Sequence, residues 1–199
     1  MSLYETVYGT LVDPVSTFRI MREKETLKQG IVILILLFIF FYLNDAGKLM
    51  NNISQNPALS ELNINLSGSY WFYPLIGLPL YLVGWFIISS LYGLLGSLYC
   101  NRTNPRALMN MLAFSLLPGI FSVPLQLGLQ AFGWQAGSIV VSLVFWIWVM
   151  VLQIIGLKEI LDVETGQAVA IWITPLAVGF VIMVLGIISL SASIASMFI

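Results

Sequence analysis

The sequence predicts an all-α, polytopic membrane protein: a bundle of five transmembrane helices with an interfacial amino-terminal helix. Three observations carry that prediction. Charged residues make up 9% of the 199-residue chain, against roughly 25% in a soluble globular domain, too few to cover a water-facing surface. Apolar residues reach 59% and are gathered into long runs, and runs of about 18 or more read as membrane spans. The lysines and arginines, finally, crowd to one side of those runs. On this reading residues 1–25 form a cytoplasmic amphipathic lead-in and residues 26–199 the five-span domain.

The opening stretch "MSLYETVYGTLVDPVSTFRIMREKETLKQG" carries both charge signs. With no A-x-A-like site after the first apolar block, it is not expected to be a cleaved signal peptide. Asp13-Pro14 reads as an N-cap followed by proline at the first helical position. Val15, Phe18, Met21 and Leu27 then form an apolar stripe with Arg19, Arg22, Lys24 and Lys28 beside it. That pattern predicts a helix lying in the interface, its stripe in lipid and its cations near anionic headgroups.

The first span is expected over about 26–47, around "IVILILLFIFFYL". This core is near 20 Å as a helix, so the helix must run past both ends to cross about 30 Å of hydrocarbon. Lys28 snorkels at one end, while Asn44 and Asp45 face the other. The second span falls within 71–99 and opens on Trp71, Phe72 and Tyr73, residues typical of the lipid–water boundary. Ser89, Gly93 and Ser97 recur every four residues along it, and Ser189 with Ser193 does so on the fifth. Small-xxx-small spacing lets helix backbones approach, within the bundle or across a dimer.

The third span, about 107–132, is interrupted by Pro118, Gly119 and Pro124. Mid-helix proline removes a backbone hydrogen bond and kinks the helix. Such a break marks either a compact, kinked bundle or a binding site of the transporter kind. The fourth span is expected over about 138–157 and the fifth over about 168–196. Between them, Leu157, Ile160 and Leu161 are spaced to face inward, leaving Lys158, Glu159 and Asp162 toward water, with Gly166 placed to end the turn.

Orientation follows from charge. With the amino terminus cytoplasmic, Arg19, Arg22, Lys24, Lys28, Arg102, Arg106 and Lys158 all lie inside and only Lys48 outside. The carboxyl terminus then ends outside. The long outer loop, 48–70, contains sequons at Asn52 and Asn65, relevant only in a glycosylating host; a third at Asn101 falls on the inner side.

Several function classes are excluded or disfavoured. A net charge of −1 gives no nucleic-acid footprint. The chain has no histidine and one cysteine, Cys100, which removes Ser-His-Asp chemistry, imidazole metal ligands, disulfides and CxxC sites. GxSxG, HExxH and Walker loops are absent, and Lys158 has no serine in local reach for a dyad. No catalytic residue, cofactor or metal is expected. The mid-span regions hold no Asp, Glu, Lys or Arg, whereas ion-coupled carriers keep such residues there. Asn110, Gln126, Gln130 and Gln153 are the polar exceptions and are expected to bond between helices. The leading expectation is a non-enzymatic membrane scaffold or adaptor. Its partner-docking residues would be Arg19, Arg22, Arg102, Arg106, Lys158, Glu159 and Asp162. The alternative is a small-solute transporter or channel built on the kinked third span.

The order "DPVSTFRIMREKETLKQG", then "ALMNMLAFSLLPGIFSVP", then "GLKEILDVETGQAVAIWITPLAVGF" resembles the Yip domain family over nearly the whole chain. The resemblance implies five membrane helices and a cytoplasmic amino terminus, in agreement with the charge count. Eukaryotic relatives are associated with vesicle traffic and Rab-type GTPases and carry an Asp-Leu-Tyr-Gly-Pro-like motif in a longer cytosolic region. Only "LYG" at Leu91–Gly93 occurs here, inside a span, and the motif is not carried over. A Rab-type GTPase partner is implied only for a eukaryotic host. The compact form resembles prokaryotic members of the plasma membrane, for which the implied partners are membrane lipid, another membrane protein such as an ABC exporter, or a second copy.

Overall fold

The computed structural model describes residues 2–23, 27–55 and 72–196, and no strand occurs among them. Lys24, Asn65 and Trp71 lie outside the described residues, as do the side chains of Asp45, Lys48, Asn52, Phe72, Tyr73 and Ser193. The elements are α1 (Leu3–Val12), α2 (Pro14–Glu23), α3 (Leu27–Gln55), α4 (Phe72–Cys100), α5 (Pro105–Ser115), α6 (Pro118–Ala131), α7 (Gln135–Leu161) and α8 (Thr165–Ser196).

Five candidate spans are long and apolar enough to cross a membrane: Leu27–Asn44, Pro74–Cys100, Pro105–Ala131, Gln135–Leu161 and Thr165–Ser189. The protein is therefore an integral, multi-pass, all-α membrane protein. Its third span, α5 with α6, is the central one: 56% of its apolar window is buried, against 22% or less for the others. Leu108, Met111, Ala113 and Phe114 on α5 are almost fully enclosed, while large apolar side chains of α4, α7 and α8 remain exposed over much of their length, as lipid-facing surfaces should.

The break in the third span falls at Leu116–Leu117. Pro118 has no N–H to give the Phe114 carbonyl, and the Leu117 amide takes that acceptor instead at 3.1 Å. Neighbouring bonds from Gly119 to Leu116 and from Ile120 to Leu117 are likewise of the tighter i to i−3 kind, 3.0 and 3.1 Å. The α3 side chain Phe41 closes over the break, its Cζ lying 3.0 Å from where a Gly119 Cβ would stand. Pro124 follows inside α6.

Small residues on α4 serve the bundle. Ser89 is fully buried, Gly93 faces Thr103 and Leu108, and Ser97 is half-buried. Gly96 is tighter still: an added Cβ would stand 2.8 Å from the Arg102 carbonyl oxygen and 2.9 Å from Leu161 Cδ2. On α8, Ser189 is exposed. Among the mid-span polar residues, Gln153 accepts a 2.7 Å bond from Trp172 Nε1, tying α7 to α8. Asn110 accepts one from the Gly30 amide at 3.0 Å, tying α5 to α3. Gln126 is half-buried and Gln130 exposed.

Two features differ from the sequence reading. The chain ahead of Asp13 is itself a helix, α1, begun by a capping box in which Ser2 and Glu5 each accept from the other's amide. And the middle of the α2 stripe, Phe18 and Met21, turns to the bundle rather than to lipid. Phe18 is fully buried and Met21 nearly so, packed against α7 and α5, each contributing about 1.5–3 kcal/mol relative to exposure in water. Gly156 makes room for Phe18 and for Met111 of α5: a Cβ there would stand 2.2 Å from Met111 Cγ and 3.4 Å from the Phe18 ring.

Candidate functional site

The start of α3, the end of α4, the start of α5, the end of α7 and the start of α8 gather at one end of the bundle, beneath the α1–α2 hairpin. We call this the clasped end. Its charged residues come from widely separated parts of the chain and are organised around the last turn of α7.

Asp13 anchors the hairpin. Its amide closes α1 on the Gly9 carbonyl at 2.8 Å, and its carboxylate accepts from the Ser16 amide and hydroxyl at 3.3 and 2.6 Å, capping α2. Those bonds hold its carboxyl below the usual carboxylate range. Pro14 occupies the first helical position as expected. Close approach of the two helices needs Gly9, whose added Cβ would collide with the Thr17 hydroxyl at 2.3 Å.

Arg19 then reaches α7, donating from Nε and Nη2 to one Glu159 oxygen at 3.2 and 3.0 Å. Glu159 does not point into water, as the helical spacing suggested; its side chain is only 11% exposed. A carboxylate that buried requires a cationic partner, and α2 supplies it. Arg22 donates to the Glu159 carbonyl at 3.3 Å and pairs with Asp162 at 3.4 Å. Arg102 donates to the Asp162 carboxylate and to its carbonyl at 3.1 Å. Asp162 thus sits between two arginines. The Arg102 hydrogen bond and charge, with a smaller contribution from Arg22, hold its carboxyl below the usual range.

Asp162 also ends α7. Its backbone is left-handed, φ 55° and ψ 53°, a conformation that Asp tolerates better than most residues. Amides of Asp162 and Val163 both return to the Lys158 carbonyl. The terminator is therefore Asp162 rather than Gly166, which lies within the first turn of α8. That turn is capped instead by Gln167, whose Oε1 accepts from the Glu164 amide at 3.2 Å.

Asn104 is the residue the sequence reading passed over. Its Oδ1 accepts from the Ala107 amide at 3.2 Å, capping α5, while its Nδ2 donates to the Arg22 carbonyl at 3.0 Å, closing the last turn of α2. One side chain thereby joins two helices. The signal was legible: Asn104-Pro105 repeats the cap-then-proline pattern of Asp13-Pro14.

Of the seven docking candidates, Arg19, Arg22, Arg102, Glu159 and Asp162 are brought into one paired network. Lys158 lies one residue away, lining an open depression with Val163, Glu164 and Thr165. Arg106 lies in the first turn of α5, beside the Asn104 cap. Among the described residues no group of three or more acidic, histidine or cysteine side chains could hold a metal.

Nothing matches among curated proteins or solved structures. The family model of the Yip1 domain matches residues 8–186, which takes in four spans, most of the fifth and every residue of the network. A five-span helical bundle matched by that model over nearly its whole length belongs to the Yip1 domain family.

Proposed function

We propose that the protein is a non-enzymatic scaffold or adaptor of the membrane, and that its clasped end faces the cytoplasm and docks a partner. The positive-inside count over the sequence supports that orientation, with the carboxyl terminus outside. The observation that carries the docking reading is the character of the clasped end. Three separated segments, α2, the Asn101–Asn104 turn and the α7–α8 turn, are fixed to one another by Arg19–Glu159, Arg22–Asp162 and Arg102–Asp162 pairs. This yields a polar surface pre-ordered before any partner arrives, which lowers the ordering cost of binding. Lys158, Glu164 and Arg106 stand around it.

The partner class we favour is another protein of the same membrane, an ABC exporter or a second copy of the chain, in a prokaryotic plasma membrane. A Rab-type GTPase applies only to a eukaryotic host. The test is photo-crosslinking from Lys158 and Arg106 in native membranes. Capture of the same membrane protein from both positions, reduced by charge reversal at Lys158 and Arg106 with insertion unchanged, is the expected result. Capture that ignores both reversals would count against it.

One observation favours the second reading, a small-solute transporter or channel. The broken span, α5 with α6, is the central helix of the bundle, where discontinuous helices build solute sites. Solute flux across proteoliposomes holding only the purified chain decides between the two.

A further inference from the structure

The amino-terminal helix α1 buries threonines and carries a second apolar stripe on its outer face. Its threonines point in: Thr6 and Thr10 are 2% and 0% exposed. They satisfy their hydroxyls on the carbonyls one turn back, at 2.9 and 2.8 Å. Three of its large side chains point out: Tyr4, Tyr8 and Val12 are 77%, 59% and 62% exposed. Spaced four residues apart, these three form one stripe, with the Tyr4 and Tyr8 rings stacked at 6.5 Å. Val15, at the start of α2, is exposed as well. A helix in water places such residues the other way round. The flank formed by Leu3, Val7 and Leu11 already packs against the core, and the outer stripe is a second apolar face that no described residue covers.

The position of α1 identifies what covers that face. Thr6 Oγ1 lies 3.4 Å from Gln29 Oε1, and Gln29 lies in the first turn of a candidate span beginning at Leu27. Two and three residues further on, Ile31 and Val32 are exposed side chains of that span. The helix is therefore held at the depth where the hydrocarbon begins, and tyrosine is the side chain suited to that depth, its ring apolar and its hydroxyl wet. Lys28, exposed beside Gln29, is placed for the headgroups.

We propose that α1 lies in the membrane interface with Tyr4, Tyr8 and Val12 turned into lipid, so that the lipid-facing element of the amino terminus is α1 and the protein-facing element is α2. The bilayer covers the stripe whether or not any partner docks at the paired network.

The test uses the full chain with Cys100→Ser, reconstituted in phosphatidylcholine–phosphatidylglycerol vesicles, with a nitroxide at Tyr8→Cys. Reference labels stand at Ile39→Cys, an exposed span position, and at Glu164→Cys, in the polar turn. Collision with oxygen over collision with a water-soluble nickel chelate is expected to shift from the Glu164 value toward the Ile39 value. It should stay there when the protein is diluted into excess lipid. Tyr4→Cys should report the same, and it carries the test if the Tyr8 variant folds poorly. A Tyr8 ratio matching Glu164 overturns the proposal, and so does protection that vanishes on dilution, which would assign the stripe to a second copy.

Discussion

At the scale of the residue, the fold depends on a few polar side chains placed to close backbone groups at helix ends. Asn110 is the plainest. The Gly30 amide lies in the first turn of α3, where helical N–H groups have no acceptor within the helix. Asn110, 3% exposed on α5, supplies that acceptor at 3.0 Å. Only glycine permits the approach, because a Cβ on residue 30 would stand 2.3 Å from Asn110 Oδ1. Asn110→Ala should therefore destabilise the protein by about 1–3 kcal/mol, the cost of a buried donor left unsatisfied. Detergent unfolding measures it, and an unchanged midpoint would show that the bond contributes nothing. The sequence marked Asn110 as a polar residue bonding between helices. It could not name Gly30 as the partner, since spacing along a span does not say which backbone donor lies opposite.

At the scale of the element, the α1–α2 hairpin is held to the bundle by apolar burial and by ions together. Phe18 and Met21 supply the first, Arg19 and Arg22 the second. The ionic part has a definite pH dependence. A carboxyl whose folded pKa is depressed contributes stability above its unfolded pKa, lost as pH falls through the folded value. Asp162 is depressed by Arg102 and Arg22. The hairpin should therefore hold unchanged from neutrality down to the ordinary aspartate range and loosen only below it. Pepsin cleavage between α2 and α3 should rise in that acidic window, and Asp162→Asn should weaken the dependence. Loosening centred near neutrality would contradict this assignment. The exposed side chains of the Arg102–Asp162 pair, 55% and 65%, mean that the contribution is small and screened by salt.

The elements were unevenly legible. The start of α2 could be read from Asp13-Pro14, and the break in the third span from Pro118, Gly119 and Pro124. The helix α1 was passed over, although Ser2 and Glu5 stand at capping-box spacing, because its apolar residues serve two faces at once. The fate of the α2 stripe was hidden for a different reason. An amphipathic basic helix suits lipid and a protein groove equally well by pattern, and only the groove beside Gly156 decides between them.

At the scale of the whole molecule, composition and charge were enough to give the class of protein and its five spans, because lipid demands long apolar helices and little else can supply them. The paired network was not legible. Its members, paired across as many as 140 positions, each look like a solvated charge at the end of a span. Their meeting is a product of tertiary packing at the clasped end. That meeting is the central claim: α2 and the last turn of α7 form one pre-ordered surface held by Arg19 and Glu159. Pulsed electron resonance between nitroxides at Glu23→Cys and Glu164→Cys, with Cys100→Ser, in proteoliposomes, tests it most directly. The account predicts one narrow distance distribution, broadened by Arg19→Glu and narrowed again when Glu159→Arg is added. A distribution already broad in the native pairing, or indifferent to the charge swap, would contradict it.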